Sequence, residues 1–556
     1  MTAKTSSARR NSPAWAFAPV AVLEVAAVTI AALAIRLVRL DSPVFIDELY
    51  HVLAAQSWLQ NGTLAIGDGV PYTRAKPYTM LVATLFQWLG AGVVQARIPS
   101  VIAGALLVGV MFLWVRRVAG RLPAWLTAAF IALDPDSIGV SQIGRFYTLH
   151  VLFIWLGAIA LYSLRRQLHE EGVLGMRRGV RATALAGSAA LAFAGALGLH
   201  DLSVIGVGLV LVWFAMDSAG DTLQWLRGGR WRVWIATVVA LGFLVVAYFV
   251  VDAPRLFEYY VYLFGRAPLW SPESWLYYHW EFQTQYGPLW TLVPVLAAAA
   301  FLWKPRPTAF LAWFFFAGIV VQSFAAWKAW RYVAYLTPAY FALCGIGLAR
   351  FADLAHGALV TAARRAFGLR NPRIIASVAF AIVAGAAGLL ALDANRAAPY
   401  TFRILTADAV DRPLPYMRGD WQAAMPVLAP LAQAADAVVT SADVKALYYL
   451  GRLDYAVCAS DLAGAPEFTR RPRTGKPVVQ SPRALERIRS CHASGLIVID
   501  WGHDRQRAYV PRDAMDWIEE NTEPVPLDER VHLLAFRWDD DARSDPAPAD
   551  CPPEGE

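Results

Sequence analysis

The chain has few charged residues for its length. Of its 556 residues, 17% are Asp, Glu, Lys or Arg, whereas soluble globular proteins carry about 25%. Apolar residues make up 57% and are grouped in blocks of about 17–23, the length that spans a hydrocarbon core of about 30 Å as a helix. The sequence therefore excludes an ordinary soluble protein. The net charge of +7 requires no nucleic-acid partner, because arginine-rich cytoplasmic loops give membrane proteins this excess.

Cysteine is also scarce. The four cysteines form no CxxC or Cys/His ligand spacing, so a zinc site is not expected. Cys458 and Cys491 both lie in the C-terminal part of the chain. If that part is extracytoplasmic they could form a disulfide, and two free thiols are the alternative.

The apolar blocks predict about eleven membrane spans. A basic N-terminus precedes the first block, which has no small-residue cleavage site and is expected to remain as an uncleaved span. Glu24 lies inside this span and is expected to be paired or to face the bundle interior. The third span is the weakest, because Asp134, Pro135 and Asp136 end its short apolar run. The predicted spans begin near residues 15, 98, 122, 146, 182, 202, 233, 288, 308, 332 and 374.

Basic residues are concentrated in alternate loops, which is the positive-inside pattern. It predicts a cytoplasmic N-terminus and an extracytoplasmic C-terminus. Two long external loops follow, at about 40–97 and 252–287, and their Trp and Tyr residues suit helices that lie in the membrane interface. The basic residues assigned to the cytoplasm are Arg116, Arg117, Arg121, Arg165, Arg166, Arg177, Arg178, Arg181, Arg227, Arg230, Arg232, Lys304, Arg306, Arg350, Arg364, Arg365, Arg370 and Arg373.

The composition changes after about residue 392. Residues 393–541 are polar and alternate short β-like runs, such as 437–440, with helical stretches, such as 442–450. We therefore predict a polytopic α-helical membrane domain over 1–392 and a soluble α/β domain over 393–541. The tail, 542–556, is expected to be disordered.

Two adjacent carboxylates, Asp47 and Glu48, follow the first span. Charge this close to hydrocarbon is costly unless it is paired or functional. A carboxylate here can accept the proton of an attacking hydroxyl group. The alternative is that both residues cap an interfacial helix that starts near Leu49.

Cations occur on the same predicted face as these carboxylates. Arginine grips phosphate in a bidentate manner, and lysine acts as a compact point charge. The alternative is snorkelling towards lipid headgroups. The cations are Arg74, Lys76, Arg97, Arg145, Lys328 and Arg331.

The order of these short motifs resembles the GT-C superfamily of glycosyltransferases, in particular the branch of protein O-mannosyltransferases and aminoarabinose transferases, including glycosyltransferase family 39. The resemblance covers roughly the first 350 residues. One departure is Lys76-Pro77-Tyr78-Thr79, where aminoarabinose transferases usually read Lys-Pro-Pro-Leu, which argues against assuming the aminoarabinose reaction. The motifs are Asp47-Glu48-x-Tyr50-His51, Arg74-x-Lys76-Pro77, Ala96-Arg97-Ile98-Pro99, Arg145-x-Tyr147 and Arg331-Tyr332 with Pro338 beyond.

The resemblance implies an inverting hexosyl or pentosyl transfer from a polyprenyl-phosphate sugar to a hydroxyl acceptor. It assigns the catalytic carboxylate to Asp47, with Glu48 beside it. It assigns the binding of the donor phosphate to Lys76, Arg145 and Arg331, and to Arg74, which precedes Lys76 in the same loop. No cofactor is required; a divalent metal, with ligands from Asp47, Glu48 and Asp136, is possible in principle but not favoured. Residues expected to line the substrate are His51, Tyr78, Tyr147, Lys328 and Tyr332.

The expected location is the bacterial inner membrane, with the C-terminal domain in the periplasm. The acceptor is left open among a protein, a lipid A-like glycolipid and an envelope polysaccharide. His200 and Asp201 form an external turn that could line the site, and a polar turn is the simpler interpretation. Asp500, His503 and Asp504 suggest a metal site or a catalytic triad, and loop residues after a strand are the simpler interpretation. A transporter or lipid flippase is the main alternative, although charges at one face and the lack of a visible repeat do not favour it. A non-catalytic scaffold protein is a third alternative, and it is not favoured because it would not require carboxylates and cations on one face.

Overall fold

The computed structural model describes residues 19–170 except 39, then 176–227, 272–367 except 326 and 327, 419–457, 465–500 and 510–539. Isolated positions between 374 and 406, together with Cys551, are also described. The predicted span near 233 lies outside these residues, as does the predicted span near 374 apart from the isolated positions. Also outside are the loop segment 252–271, Cys458, His503, Asp504 and the tail except for Cys551.

The first 367 residues are almost entirely helical where the structure describes them. Short strands β1 (Ala65–Ile66) and β2 (Val70–Pro71) form a small hairpin. The first nine helices are α1 (Pro19–Leu37), α2 (Ile46–Asn61), α3 (Lys76–Leu89), α4 (Val93–Val118), α5 (Arg121–Leu133), α6 (Pro135–Ser141), α7 (Tyr147–Glu170), α8 (Met176–Leu199) and α9 (Ser203–Arg227). The later helices are Pro272–Trp303, Pro305–Ala312, Gly318–Ser323, Trp330–Val333 and Thr337–Phe367, with a π-helical turn at Trp313–Ala317.

Within the described residues, six helices are long and apolar enough to cross a membrane. Two shorter apolar helices, Arg121–Leu133 and Ser203–Ala219, accompany them. The predicted total of eleven spans therefore stays a prediction. The candidate spans are Pro19–Leu37, Val93–Val118, Tyr147–Glu170, Arg178–Leu199, Trp275–Trp303 and Thr337–Arg365.

Two predicted elements differ from the structure. The third span is only the 13-residue helix α5, because Asp134 ends it and then caps α6 by accepting a hydrogen bond from the Ser137 backbone N–H. The interfacial helix predicted in the second external loop is present from Pro272 onwards, but it is continuous with the following span rather than separate from it. That helix is kinked at Gly287, which has φ 36°, because the following Pro288 disfavours helical geometry in the residue before it.

The membrane helices bury their charges by pairing them. Glu24 in α1, which has 7% of its surface exposed, forms ion pairs with Arg116 at the end of α4 and with Arg121 at the start of α5. The expectation that Glu24 is paired is confirmed, and its partners are cations of the predicted cytoplasmic boundary.

Residues 419–539 contain a six-stranded mixed sheet in the order β5–β4–β3–β6–β8–β7. The first four strands in this order are parallel, and β8 is antiparallel to both β6 and β7. The strands are β3 (Ala437–Thr440), β4 (Tyr455–Val457), β5 (Val478–Val479), β6 (Ser494–Asp500), β7 (Glu523–Val525) and β8 (Leu533–Asp539). The accompanying helices are Trp421–Ala434, Asp443–Tyr449, Pro482–Cys491 and Arg512–Asn521, with a short 3₁₀ turn at Glu529–Val531.

Helices cover both faces of this sheet, which is why its central strands are apolar on both sides. Val439 and Ile497 pack on one face with the helices Pro482–Cys491 and Arg512–Asn521. Val438 and Leu496 pack on the other face with Trp421 and Leu428. A buried ion pair between Lys445 and Asp500, with Nζ and Oδ2 2.7 Å apart, holds the end of β6, so Asp500 has a structural partner here.

The disulfide differs from the one considered from the sequence. Cys491 is bonded to Cys551 rather than to Cys458. The sequence alone did not predict this pairing, because cysteine spacing does not determine connectivity.

Candidate active site

Asp47 and Glu48 begin helix α2, and the structure places them in different environments. Glu48 has no exposed surface and accepts four hydrogen bonds. Two come from the Arg97 guanidinium at 2.5 and 2.9 Å, and two come from the backbone N–H groups of Phe45 at 2.8 Å and Gly144 at 2.7 Å. The hydrogen-bonding capacity of the Glu48 carboxylate is therefore filled by donors within the protein.

Arg97 extends this network to the segment before α2. Its Nη1 donates to the backbone carbonyls of Leu40, at 2.6 Å, and Ser42, at 2.8 Å. The Arg97 side chain is 1% exposed, so it does not snorkel to the lipid surface. Arg97 and Glu48 together fasten the start of α2 to the start of α4 and so fix the direction in which Asp47 points.

Asp47 remains accessible. Its side chain is 27% exposed, and its Oδ2 lies 3.6 Å from Nη2 of Arg145, whose side chain is 5% exposed. Arg145 Nη1 also donates to the Asp47 backbone carbonyl at 2.8 Å. The structure thus presents one accessible carboxylate beside one buried guanidinium.

Arg145 is enclosed by aromatic rings. Its guanidinium carbon lies 5.1 Å from the centre of the Phe146 ring and 5.4 Å from that of Tyr147. Nη2 is 3.4 Å from the Tyr147 hydroxyl, and Nε has no hydrogen-bond partner among the described residues. A buried guanidinium N–H without a partner is costly unless a ligand accepts from it.

Two residues predicted to line the substrate serve the scaffold instead. Tyr78 has no exposed surface, and its hydroxyl donates to the Ala96 carbonyl at 2.9 Å and lies 2.9 Å from the Ser100 hydroxyl. His51 is equally buried, with Nδ1 2.8 Å from the Thr79 hydroxyl and Nε2 3.3 Å from that of Tyr72. Burial, reinforced by nearby arginines, holds the His51 pKa well below its ordinary value, so the ring is neutral. Both side chains tie the external helices together.

Arg74 and Lys76 are exposed at the entrance of α3. The residue between them, Ala75, has φ 44°, a left-handed conformation that is unusual for a residue with a side chain. Arg74 lies close enough to His51 to depress its pKa further. The turn therefore presents two solvated cations on the same side as Asp47.

His200 lies in this cluster, which favours the alternative that it lines the site over the simpler interpretation of a polar turn. Its ring contacts Phe146 at a centroid distance of 5.2 Å and Tyr332 at 6.2 Å. Burial lowers the His200 pKa well below its ordinary value, and the cations Arg145, Arg74 and Arg331 lower it further. His200 thus connects the Arg145 cluster to the segment that carries Arg331. Its position between two spans on the Asp47 side was the only signal in the sequence.

The last group of predicted site residues is Lys328, Arg331 and Tyr332. The Arg331 guanidinium carbon lies 5.2 Å from the centre of the Tyr332 ring, and Tyr332 faces His200. Lys328 donates to the backbone carbonyl of Ala325 at 2.6 Å, and burial lowers the Lys328 pKa. Arg331 and Tyr332 are therefore brought towards Arg145, whereas the ammonium of Lys328 is engaged in its own loop.

The described residues contain no group of three His, Cys, Asp or Glu side chains arranged to hold a metal ion. Asp134 accepts a hydrogen bond from the Tyr286 hydroxyl at 2.7 Å, and burial raises its pKa to about 6. Burial and the neighbouring Asp134 raise the Asp136 pKa well above its ordinary value. Of the three residues considered as metal ligands, Glu48 already accepts four hydrogen bonds from groups of the protein.

The C-terminal sheet domain lies against the first external loop. Asp68, in the turn between β1 and β2, pairs with Lys476, with Oδ1 and Nζ 2.7 Å apart, and donates its backbone N–H to the Thr474 carbonyl at 3.2 Å. Val444 is fully buried among apolar residues of α2 and α3. This contact brings the 470–476 loop beside α2.

Arg473 is the cation in this loop that sequence reasoning missed. Its charge acts on the hydroxyl of Tyr50, three residues after Asp47, and Asp47 also acts electrostatically on that hydroxyl. Arg473 itself is exposed. The C-terminal domain therefore contributes one exposed cation close to Asp47.

The docking of this loop depends on a close approach at Gly67. A Cβ at this position would lie 2.4 Å from the Thr474 carbonyl oxygen, so Gly67→Ala is expected to loosen the contact. Hydrogen exchange of the 470–476 backbone should then speed up measurably. Gly69→Ala is the matched control, because Gly69 shares a left-handed φ but meets nothing within 4 Å. Equal exchange in both variants would contradict the proposed contact.

Comparison with solved structures identifies the fold. ArnT from Cupriavidus metallidurans in the apo state superposes with a TM-score of 0.58 at 17% identity, covering 93% of this chain and 97% of that chain. The same protein bound to undecaprenyl phosphate gives a TM-score of 0.54 at the same identity and coverage. No protein-family model and no curated protein matches the sequence.

ArnT is an aminoarabinose transferase with the GT-C glycosyltransferase fold. At 17% identity the likeness is one of fold. The chain is therefore an integral membrane protein of the GT-C fold, and the resemblance indicated by the order of its motifs is confirmed at that level.

Proposed function

We propose that this protein is an inverting glycosyltransferase that moves a sugar from a polyprenyl-phosphate donor to a hydroxyl acceptor at the extracytoplasmic membrane face. The observation that carries the proposal is the accessible Asp47 carboxylate held 3.6 Å from the buried Arg145 guanidinium. A transferase of this kind needs a base for the acceptor and cations for the departing phosphate at adjacent positions. The undecaprenyl phosphate bound to ArnT supports the choice of donor.

Asp47 acts as the general base. It accepts the proton of the acceptor hydroxyl while the hydroxyl oxygen attacks the anomeric carbon of the sugar. The bond between that carbon and the phosphate oxygen breaks, and its electron pair leaves with the polyprenyl phosphate. Attack opposite the departing group inverts the anomeric configuration.

Arg145 stabilises the negative charge that develops on the leaving phosphate. Its Nε lacks a hydrogen-bond partner among the described residues, and its desolvated charge acts more strongly than a solvated one. Arg74, Lys76 and Arg331 add positive charge from neighbouring elements. These cations can neutralise a phosphate monoester, so the proposed reaction does not require a metal.

Glu48 positions the site rather than taking part in proton transfer. Its two oxygens already accept four hydrogen bonds, which leaves no accessible lone pair directed towards a substrate. We therefore reassign Glu48 from the catalytic role expected from the sequence to the orientation of α2.

The acceptor class remains a protein, a lipid A-like glycolipid or an envelope polysaccharide, and the sugar is a hexose or a pentose. We propose that the acceptor enters between α2 and the 470–476 loop, because the exposed Arg473 lies on that side of Asp47. The basic-loop asymmetry supports an inner-membrane location with this domain in the periplasm.

Polyprenyl-phosphate release tests the proposed function. The purified protein in nanodiscs is incubated with a panel of polyprenyl-phosphate sugars and envelope extract, and the released lipid phosphate is measured by mass spectrometry. We expect release from one donor only when an acceptor is present. Movement of the intact donor between leaflets without release would instead support a transporter.

A further inference from the structure

A polar cavity lies at the opposite end of the helix bundle from Asp47. Its volume is about 320 Å³. The cavity is formed by the ends of α4 and α7, the middle of α9 and the segment that starts at Lys304. Its lining residues are Arg117, Val118, Tyr162, Arg165, Arg166, His169, Glu170, Trp213, Asp217, Lys304, Arg306 and Pro307.

The position along α4 separates this cavity from the catalytic site. Arg97 contacts Glu48 near the start of this helix, and Arg117 lines the cavity twenty residues later. At 1.5 Å per residue this separation is about 30 Å, which is the thickness of a hydrocarbon core. Helix α7 runs in the same sense, from Tyr147 beside the site to Arg165 in the cavity. The cavity therefore lies at the membrane boundary opposite to that of Asp47.

The lining carries a clear excess of positive charge, with five Lys and Arg side chains against two carboxylates. Each carboxylate has an arginine partner. Asp217 lies 2.8 Å from Arg165, and Glu170 lies 3.0 Å from Arg166. Cations gathered in a partly enclosed space repel one another, and a bound anion relieves this repulsion.

The floor of the cavity is aromatic. Tyr162 and Trp213 stack with their ring centres 5.4 Å apart and their planes 17° from parallel. On the rim, Arg306 contacts Nε2 of His169. A cationic rim above an apolar floor at a membrane boundary suits a ligand that has a phosphate at one end and carbon-rich groups behind it.

We propose that this cavity binds a phosphate group, and that its natural source is the headgroup of an anionic phospholipid. Arginine matches phosphate oxygens in a bidentate manner, and lysine adds a point charge. The ends of α4 and α7 bring the rim to the depth at which lipid headgroups lie. Free phosphate has the same recognition chemistry but makes no use of the aromatic floor.

Lipid retention by the full chain tests this site without using transferase activity. The purified protein in detergent is mixed with phosphatidylglycerol, phosphatidylcholine or inorganic phosphate, and native mass spectrometry measures what stays bound. We expect retention of phosphatidylglycerol, weakened at least tenfold in the double variant Lys304→Gln/Arg306→Gln. Arg364→Gln/Arg365→Gln removes the same charge outside the cavity and should retain the lipid normally.

The charge-conserving double variant Lys304→Arg/Arg306→Lys should keep the lipid, which separates loss of charge from loss of structure. Displacement of phosphatidylglycerol by millimolar inorganic phosphate would identify free phosphate as the natural ligand. The phosphate-binding site itself would then still stand. Equal retention of phosphatidylglycerol by the wild type and both charge-removing variants would overturn the proposal, as would equal retention of phosphatidylcholine.

Discussion

Asp47→Asn is expected to reduce sugar transfer by about 10²–10⁴-fold, the range contributed by a positioned general base. The amide has nearly the same shape as the carboxylate but does not accept a proton from the attacking hydroxyl. Insertion into the membrane and binding of the donor should be largely preserved, because Arg145 and the other cations are unchanged. The measurement is acceptor-dependent release of polyprenyl phosphate at saturating donor, with native mass spectrometry reporting bound donor.

Asp41→Asn provides a matched control for this experiment. Asp41 is an exposed aspartate of the same external loop, six residues before Asp47. Its replacement removes the same charge and should leave turnover close to that of the wild type. Normal turnover by the Asp47→Asn protein would eliminate the general-base assignment while leaving the fold and the donor site in place.

Glu48→Gln is expected to destabilise the protein by about 3–5 kcal/mol, because it leaves the buried Arg97 guanidinium without its counter-charge. The amide nitrogen of Gln would also face N–H donors, from which it cannot accept hydrogen bonds. Turnover should fall together with stability, since the start of α2 carries Asp47. Thermal unfolding in detergent measures the first effect, and donor-release kinetics measure the second.

An exposed ion pair provides the comparison for Glu48. Arg350 and Asp353 lie three residues apart on one helix, with Nη1 and Oδ2 separated by 2.6 Å. Asp353→Asn should change stability by no more than about 1 kcal/mol, because solvent already screens this pair. If Glu48→Gln had an equally small effect, the buried network would not fix α2.

Several elements of the C-terminal domain were predictable from local patterns. The run at 437–440 is strand β3, and the stretch predicted as a helix at 442–450 is the helix Asp443–Tyr449. Short apolar runs bounded by polar residues define such elements without reference to the rest of the chain. The order of the strands in the sheet was not predictable in this way, because β3 pairs with β6 across more than fifty intervening residues.

In the membrane domain, too, some features were predictable from local patterns and others were not. Length and hydrophobicity predicted span starts near 122, 146 and 202, each within one residue of the starts of α5, α7 and α9. The predicted starts near 98 and 182 lie five and six residues after the starts of α4 and α8, and the short helix α6 was not predicted. The predicted interfacial segment and the following span adjoin at the kink at Gly287, and a hydropathy pattern does not distinguish two such adjoining helices from two separate ones.

The sequence by itself determined that the chain enters a membrane, and it predicted that the acids and cations of the candidate site lie at one boundary. Both follow from the free energy of transferring side chains into hydrocarbon, which is a property of each residue. The tertiary structure decided which of two adjacent carboxylates is accessible. Successive residues of a helix point about 100° apart, so the elements packed around α2 bury Glu48 against Arg97 and leave Asp47 exposed beside Arg145. Contacts among distant segments also favoured His200 as a site residue, added Arg473, and assigned Tyr78 and His51 to the scaffold.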